Sequence, residues 1–259
     1  SCGEEHYAFN LAVAGDTVYV ASNGLGLTVI DVTDKDNPVV LGGYYQIGTI
    51  RDVSIAGDYA YVATLYGGNG FRILDVTDPA NIVAGPSVDT SPSGNFEAVY
   101  IDGDAVYFTD VMGGFLSIDI SNPAIPTELD DNPQTINTSD VFVTDLRAYT
   151  PSHTTSGGIY CYGLENPTSV SGLGGFGVTG LTSGLQRIDG EETYLYVTGG
   201  SDGLAAINTV KIENYHFDIE VTLYVQPDLY FHGITVANGV VYATSSGASP
   251  ESLVILQAQ

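Results

Sequence analysis

The stretch Val-Ser-Ile-Ala-Gly-Asp-Tyr-Ala-Tyr-Val, residues 53–62, decides the fold of this chain. Its Gly-Asp pair separates two alternating apolar runs, which predicts a β-hairpin because these residues tolerate the positive φ of a tight turn. The second tyrosine recurs late in the equivalent run of five other segments. A unit copied about six times indicates a repeat architecture. The six positions, 42 to 47 residues apart, are Tyr19, Tyr61, Tyr107, Tyr149, Tyr196 and Tyr242.

Each copy also contains a third apolar run. Gly-Leu-Thr-Val-Ile-Asp-Val-Thr-Asp (26–34) returns as Gly-Phe-Arg-Ile-Leu-Asp-Val-Thr-Asp (70–78) and Gly-Phe-Leu-Ser-Ile-Asp-Ile-Ser-Asn (114–122), a spacing of 44 residues. A fourth run follows the proline in the better copies. About four short antiparallel strands per copy, without helical period, predict an all-β, six-bladed β-propeller.

The repeat also predicts the domain organisation. We expect a single β-propeller domain over residues 1–259, with the last blade closed by both termini. The predicted blades cover approximately residues 9–50, 51–96, 97–138, 139–183, 184–231 and 232–259, the last together with 1–8. In this arrangement residues 2–8 supply the outer strand of the last blade.

Composition narrows the class of partner. The 259 residues are 44% hydrophobic and 14% charged, as in a globular chain with a large core. Six Lys and Arg face 31 Asp and Glu, a net charge of −25, which disfavours nucleic acid and anionic lipid and favours cations and basic partners. No apolar run approaches the roughly 20 residues that cross a bilayer, so no transmembrane segment is expected.

The two cysteines are predicted to lie far apart. Cys2 belongs to the junction of the last and first copies and Cys161 to the fourth copy, whereas a disulfide needs Cα atoms within about 7 Å. We therefore expect no intramolecular bridge. Cys161 aligns with Val29 and Ile73, which predicts a small core residue. Cys2 resembles the residue that is lipidated when a bacterial lipoprotein signal is removed; the alternative is an ordinary free cysteine.

The quoted motifs resemble a known family. Leu-Thr-Val-Ile-Asp-Val-Thr-Asp-x-x-Asn-Pro, followed by Gly-Asp-Tyr-Ala-Tyr-Val-Ala, is similar to the LVIVD repeat of bacterial and archaeal secreted or surface propellers. The match covers about 9–125 and is degenerate over 126–259, where Gly163 and Asn208 replace the aspartate. The resemblance implies a location outside the cell or in the cell envelope, and it supplies no catalytic motif.

Two columns of the repeat break its regularity. The register of the tyrosines aligns Arg51 with Phe9, Glu97, Ser139 and His232, and it aligns Asp52 with Asn10, Ala98, Asp140 and Gly233. These positions begin the innermost strands, at the predicted mouth of a central channel, with irregular loops nearby. The candidate ligand-binding residues are Arg51, Asp52, Glu97, Asp140, His232, Tyr66, Asp110 and His153.

Simpler explanations apply to several of these groups. The channel mouth could be a solvated pore in which Arg51 pairs with Glu97 or Asp52. Carboxylates of the predicted turns, among them Asp16, Asp34 and Asp58, follow from turn chemistry. The four histidines lack the spacing of a zinc site.

Three functions compete. The leading interpretation is a non-catalytic extracellular or cell-surface binding propeller, a monomer that takes a protein or a small polar or cationic ligand and needs no cofactor. The second is a Ca²⁺-dependent hydrolase of the lactonase or esterase type, with an axial metal held by Asn10, Asp52, Glu97 and Asp140. The third is a structural propeller module within an envelope protein.

Overall fold

The computed structural model describes most of the chain. Within the described residues there are 25 β-strands and no helix. The described segments are 7–65, 70–86, 88, 95–110, 114–132, 137–144, 146–154, 158–166, 168–182, 184–191, 193–209, 212–213, 216–217, 221–224, 229–247 and 252–257.

The chain divides into two compact units, and the first (Ser1–Thr135) contains three blades. Each is a four-stranded sheet whose strands pair in chain order. Blade 1 contains β1 (Ala8–Ala14), β2 (Thr17–Ser22), β3 (Gly26–Asp31) and β4 (Val39–Tyr44); blade 2 contains β5 (Thr49–Ala56), β6 (Tyr59–Leu65), β7 (Phe71–Asp75) and β8 (Val83–Ala84); blade 3 contains β9 (Phe96–Asp102), β10 (Ala105–Asp110), β11 (Gly114–Asp119) and β12 (Thr127–Asn132).

The second unit (Ile136–Gln259) contains the other three blades. Blade 4 contains β13 (Phe142–Thr144), β14 (Arg147–Pro151), β15 (Gly158–Gly163) and β16 (Ser171–Gly177); blade 5 contains β17 (Arg187–Glu191), β18 (Tyr194–Thr198), β19 (Leu204–Asn208) and β22 (Val221–Tyr224); blade 6 contains β23 (Leu229–Ala237), β24 (Val240–Gly247) and β25 (Ser252–Gln257). A two-stranded sheet, β20 (Ile212–Glu213) and β21 (His216–Phe217), is inserted in blade 5 and was not predicted.

These six antiparallel sheets confirm the predicted fold class, a six-bladed β-propeller. Blade 6 has three strands among the described residues. The predicted closing strand, residues 2–8, falls almost entirely outside them, because the description begins at Tyr7. Cys2 lies there as well, so its lipidation stays a prediction.

The first hairpin of each blade forms where the sequence predicts it. Gly15, Gly57 and Gly103 have φ of 60°, 55° and 56°, the left-handed region in which glycine meets no Cβ clash. In blades 4 and 6 Leu146 and Asn238 take φ of 58° and 53° instead. The turn geometry is therefore kept even where the glycine is lost.

The repeating tyrosine is a contact between successive blades. Tyr61 lies mid-strand in β6, paired with Ser54 and Ile73, and its side chain is 1% exposed. It packs in a core with Phe96 and Phe108 of blade 3. Its neighbours on the other face of β6, Ala60 and Val62, instead pack with residues of blade 1, Tyr19 among them. Tyr196 packs in the same way against blade 6. Because strand side chains alternate between faces, blade 2 is buried on both sides.

The aspartate of the repeated Ile-Asp-Val-Thr-Asp segment stabilises a turn. The carboxylate of Asp31 accepts a hydrogen bond from the Thr33 amide at 2.8 Å, and Asp75 and Asp119 accept equivalent bonds from Thr77 and Ser121. Hydrogen bonds from the hydroxyl groups of the same three residues, followed by these amide hydrogen bonds, lower the pKa of all three carboxyls. Turn formation thus explains why the motif repeats its aspartate.

The buried cysteine and the lack of a membrane-spanning helix in the described chain both bear on the sequence predictions. Cys161 carries a free, buried thiol in β15, paired with Tyr149, and burial raises the pKa of this thiol to about 12. The prediction of a core residue is therefore confirmed. No helix within the described chain is long and apolar enough to cross a membrane.

Replacing Tyr61 by phenylalanine should stabilise the protein. Among the described residues the buried Tyr61 hydroxyl has no hydrogen-bond partner, and an unsatisfied buried polar group costs about 1 kcal/mol or more. We expect Tyr61→Phe to raise the free energy of unfolding in urea by ~1 kcal/mol at pH 7. Burial, with a smaller contribution from Tyr59, raises the pKa of Tyr61 from 10.0 to about 12. Between these pH values Tyr61 ionises in the unfolded chain but not in the folded one, so the free energy of unfolding falls as the pH rises. The phenylalanine variant lacks this loss.

Tyr107→Phe is the matched control, since Tyr107 is also buried but its hydroxyl is not among the unsatisfied groups. A loss of stability in Tyr61→Phe, or an equal gain in both variants, would contradict this account of the tyrosine.

Candidate functional site

Three of the predicted site residues occupy a β-bulge in the first strand of their blades. In four blades the pairing of the first two strands skips one residue, so that this residue is the extra member of a β-bulge. Bulges re-aim a side chain, which explains why this position of the repeat varies. The four bulged residues are Phe9, Arg51, Glu97 and His232.

In the first unit, Arg51 joins the bulges of three blades. Its Nε and Nη2 donate to Glu97 Oε2 at 2.7 and 2.6 Å. Its guanidinium lies 4.3 Å from the centre of the Phe9 ring, a cation–π contact. The side chains of Arg51 and Glu97 are 23% and 14% exposed. The predicted pairing of Arg51 with Glu97 is therefore present, and it links blades 2 and 3.

Asp52 is the buried polar centre of this unit, with 4% of the residue exposed. Its Oδ1 accepts hydrogen bonds from the Asn10 side-chain amide at 2.6 Å and from the Val53 amide at 2.8 Å. Its Oδ2 accepts one from the Val99 amide of blade 3 at 2.9 Å. One carboxylate thus connects three blades, and both of its oxygens bind donors of the protein.

Asp140 has the equivalent role in the second unit. Its Oδ1 accepts from the Val141 amide at 2.9 Å, and its Oδ2 accepts from the Ile188 amide of blade 5 at 3.0 Å. Arg187 lies 3.9 Å from Asp140 Oδ1 and donates to the Ser139 carbonyl at 3.3 Å. Ile188 occupies the register position of Val99, so the same bridge between blades occurs in both units.

A second aspartate continues this pattern within the second unit. Asp189 accepts from the amides of Gly190 and Val236, each at 2.8 Å, and so links blade 5 to blade 6. Burial is the main influence on this carboxyl and raises its pKa, although its hydrogen bonds act in the opposite direction.

The remaining predicted residues lie apart from these bridges. His232 contacts Ser246 Oγ through Nε2 at 2.5 Å and lies beside the Tyr230 ring. His153 follows β14 and is exposed. Asp110 ends β10 and is buried, and its charge contributes to the raised pKa of Asp131, after burial and Asp130. Tyr66 lies outside the described residues. Whether any of these residues binds a ligand stays a prediction.

A cavity of about 410 Å³ opens in the first unit between blades 1 and 2. Tyr44, Gln46 and Ile47 contribute the side of blade 1 and of the crossover that leads to β5. Blade 2 contributes the other side through β7 and the segment around β8. The residues of blade 2 that line it are Phe71, Arg72, Ile73, Ala84, Gly85, Pro86 and Val88.

Two arginines beside these features, Arg187 and Arg72, were not among the predicted site residues. Arg187 stands nine residues before Tyr196, as Asp52 does before Tyr61, so extending the column to the fifth copy would have found it. Arg72 lies in the third strand of blade 2, at the position that Thr28 occupies in blade 1 and Leu116 in blade 3. That substitution was visible in the repeat, but the cavity beside it was not.

The predicted metal ligands bind one another and the backbone. Asn10 donates to Asp52, and Glu97 accepts from Arg51. The side-chain oxygen Oδ1 of Asn10 accepts a hydrogen bond from the Leu11 amide at 2.9 Å. Within the part of the chain that the structure describes, no group of three or more His, Cys, Asp or Glu side chains is arranged to hold a metal ion.

Solved structures with similar folds share little sequence with this chain. The computationally designed Ika8 protein is 9% identical, with a TM-score of 0.63 over 97% of this chain and 74% of that chain. A functionally unknown protein from Desulfotomaculum acetoxidans DSM 771 is 15% identical, with a TM-score of 0.51 over 85% of this chain and 90% of that chain. At these identities the similarity concerns the fold alone. No curated protein matches the sequence.

Fold and repeat define a β-propeller built from copied blades. The LVIVD repeat family matches residues 6–46, 47–90 and 93–131, one segment for each blade of the first unit. The chain is therefore a β-propeller with LVIVD repeats in its first three blades, as its sequence pattern predicts.

Removing the Asp52 carboxylate should destabilise the fold. Asp52→Ala leaves the Val99 amide and the Asn10 side chain without their acceptor in a buried site. We expect a loss of about 2 kcal/mol in the free energy of unfolding, measured in urea. Asp36→Ala is the matched control, because Asp36 is exposed in a turn and should change stability by less than about 0.5 kcal/mol. Equal effects of the two substitutions would contradict a bridging role for Asp52.

Proposed function

We propose that this LVIVD propeller is a non-catalytic binding module that takes its ligand in the cavity between blades 1 and 2. The observation that carries the proposal is the cavity itself, whose volume of about 410 Å³ lies in the range of small-molecule sites. Its lining combines apolar residues, Phe71, Ile73 and Val88, with the polar side chains of Gln46 and Arg72. A concave site in which polar groups converge beside apolar residues is typical of binding sites.

The ionisable groups of the first strands support binding rather than catalysis. A general acid, base or metal ligand must have a lone pair or proton available to the substrate. The carboxylate of Asp52 already accepts three hydrogen bonds, and that of Glu97 is engaged by Arg51. We therefore assign these residues to the connection of blades and place the ligand elsewhere.

The proposed location is outside the cell or in the cell envelope. It rests on the LVIVD resemblance and on the charge of −25, which suits a soluble surface exposed to salt. A cytoplasmic location of the protein expressed from its native gene would contradict it. The structural module within an envelope protein remains the rival interpretation, and it requires no ligand.

Filling the cavity should abolish ligand binding. Ala84 lines the cavity and is exposed, whereas Val83 is its neighbour on the other face of the two-residue strand β8. In a ligand-observed NMR screen of a general fragment library, we expect a set of fragments to bind the unaltered protein and Val83→Trp but not Ala84→Trp. Each bound fragment should be recovered chemically unchanged. The chain has no tryptophan, so fluorescence reports separately on each introduced ring.

Thermal unfolding of both variants verifies that they are folded. A screen without hits, or hits retained in Ala84→Trp, would overturn the assignment of the cavity. Calorimetric binding of Ca²⁺ that disappears in Glu97→Gln would instead favour the hydrolase, because that substitution removes a predicted metal ligand.

A further inference from the structure

We propose that the cavity selects small organic carboxylates with an apolar body, and that Arg72 binds the carboxylate. This inference rests on the proposed function, because it concerns the same cavity. Three features carry it: the state of the Arg72 guanidinium, the open edge of strand β7, and the apolar residues around them.

Arg72 has a charge that the described protein does not neutralise. No hydrogen bond or ion pair joins its side chain to another residue of the described segments, whereas Arg51 and Arg187 both lie beside carboxylates. The chain carries 31 acidic residues against six basic ones. A guanidinium that lines a cavity without a carboxylate in so acidic a protein is suited to an anionic ligand, which it can bind through two parallel N–H donors.

Among the described residues, the edge of β7 beside Arg72 has no strand partner beyond Gly85, because β8 ends early. Strand β8 has two residues, whereas β4 and β12 each have six. Pro86 follows within two residues and has no N–H with which to extend the ladder. The Gly85 amide donates to the Ile73 carbonyl at 2.9 Å, and the described pairing across this edge ends there.

This edge adds a backbone donor to the cavity. Residues two apart in a strand direct their N–H and C=O groups to the same edge, so Phe71 directs its groups to the edge used by Ile73. Phe71, Arg72 and Ile73 all line the cavity although successive side chains point to opposite faces, so the cavity runs along the strand edge. A carboxylate there meets a guanidinium and a backbone N–H.

Apolar side chains define the rest of the ligand. Ile47, Phe71, Ile73 and Val88 line the cavity, and Phe71 and Ile73 belong to the core between blades 2 and 3. Because these apolar residues share the cavity with the Arg72 guanidinium, they favour a carboxylate that carries an aliphatic or aromatic group over one with further charges. Charge at one end and apolar surface at the other describe a monocarboxylate.

Isosteric ligand pairs test this assignment. We would titrate 3-phenylpropionate and hexanoate, and their neutral amides, into the unaltered protein by calorimetry at millimolar concentration. We expect each carboxylate to bind about tenfold more tightly than its amide, because a charge-assisted bidentate contact is stronger than a neutral one. Arg72→Gln should remove this preference and leave the affinity for the amide unchanged. Unchanged amide binding also verifies that the variant keeps its cavity.

Lys35→Gln is the matched control, since it removes the same charge from an exposed turn of the same unit. An equal loss of carboxylate affinity in Lys35→Gln would assign the preference to overall charge and overturn the role of Arg72. Equal binding of acid and amide, lost in Ala84→Trp, would overturn the selection of anions while the proposed binding cavity stands. If neutral fragments bind and carboxylates do not, the selection of anions is likewise wrong and the binding cavity stands. If no fragment binds at all, the proposed binding function is itself wrong.

Discussion

The structure depends on the burial of neighbouring blades against one another within each unit. A four-stranded sheet of this length cannot bury both of its faces by itself. In blade 2 the alternation of β6 sends Tyr61 toward blade 3 and Val62 toward blade 1. Tyr61 in blade 2 and Tyr196 in blade 5 occupy the same position of the repeat because they meet the same packing requirement. The period of the sequence is thus a consequence of packing between neighbouring copies.

Buried carboxylates supply the directional part of this packing. Apolar faces can slide, but the hydrogen bond from the Val99 amide to Asp52 fixes the position of blade 3 relative to blade 2, and Asp140 does the same for the amide of Ile188. Val99 belongs to β9, an edge strand of its sheet. An edge strand leaves backbone donors unpaired, and the aspartate of the preceding blade satisfies one of them. This explains why acidic residues occur at the start of the first strands without implying catalysis.

The sequence allowed the fold to be predicted because its signals are local and repeated. Gly57 and Asp58 specify a turn, the tyrosine marks the second strand, and the gaps count the blades. The pairing of Arg51 with Glu97 followed from the same register, as one of two alternatives. The role of Asp52 could not be predicted, because the acceptor of the Val99 amide lies 47 residues away in sequence and depends on how the two sheets pack. The bulges that reposition Arg51 and Glu97 are likewise a property of paired strands.

The cavity was beyond prediction for a related reason. It results from an early end of β8, where Gly85 and Pro86 interrupt a strand that is longer in blades 1 and 3. A shortened outer strand is a departure of one blade from the pattern of the others, and the regular first and third strands of the repeat give no sign of it. Departures in the first strands serve the connection between blades, whereas the departure in blade 2 opens a space beside Arg72, which has no ion-pair partner among the described residues. Irregular residues in the first strands are therefore structural, whereas the short outer strand of blade 2 is associated with the proposed binding site.

Hydrogen exchange at the Val99 amide is the most direct measurement of the central claim, that buried carboxylates connect successive blades. This amide faces the open edge of β9, where within the described chain its hydrogen-bond acceptor is Asp52 Oδ2. If the bridge is a permanent part of the fold, Val99 exchanges as slowly as the amides in the centre of β10. Exchange as fast as that of the turn residue Gly103 would show that the bridge is not maintained in solution, and would contradict the account.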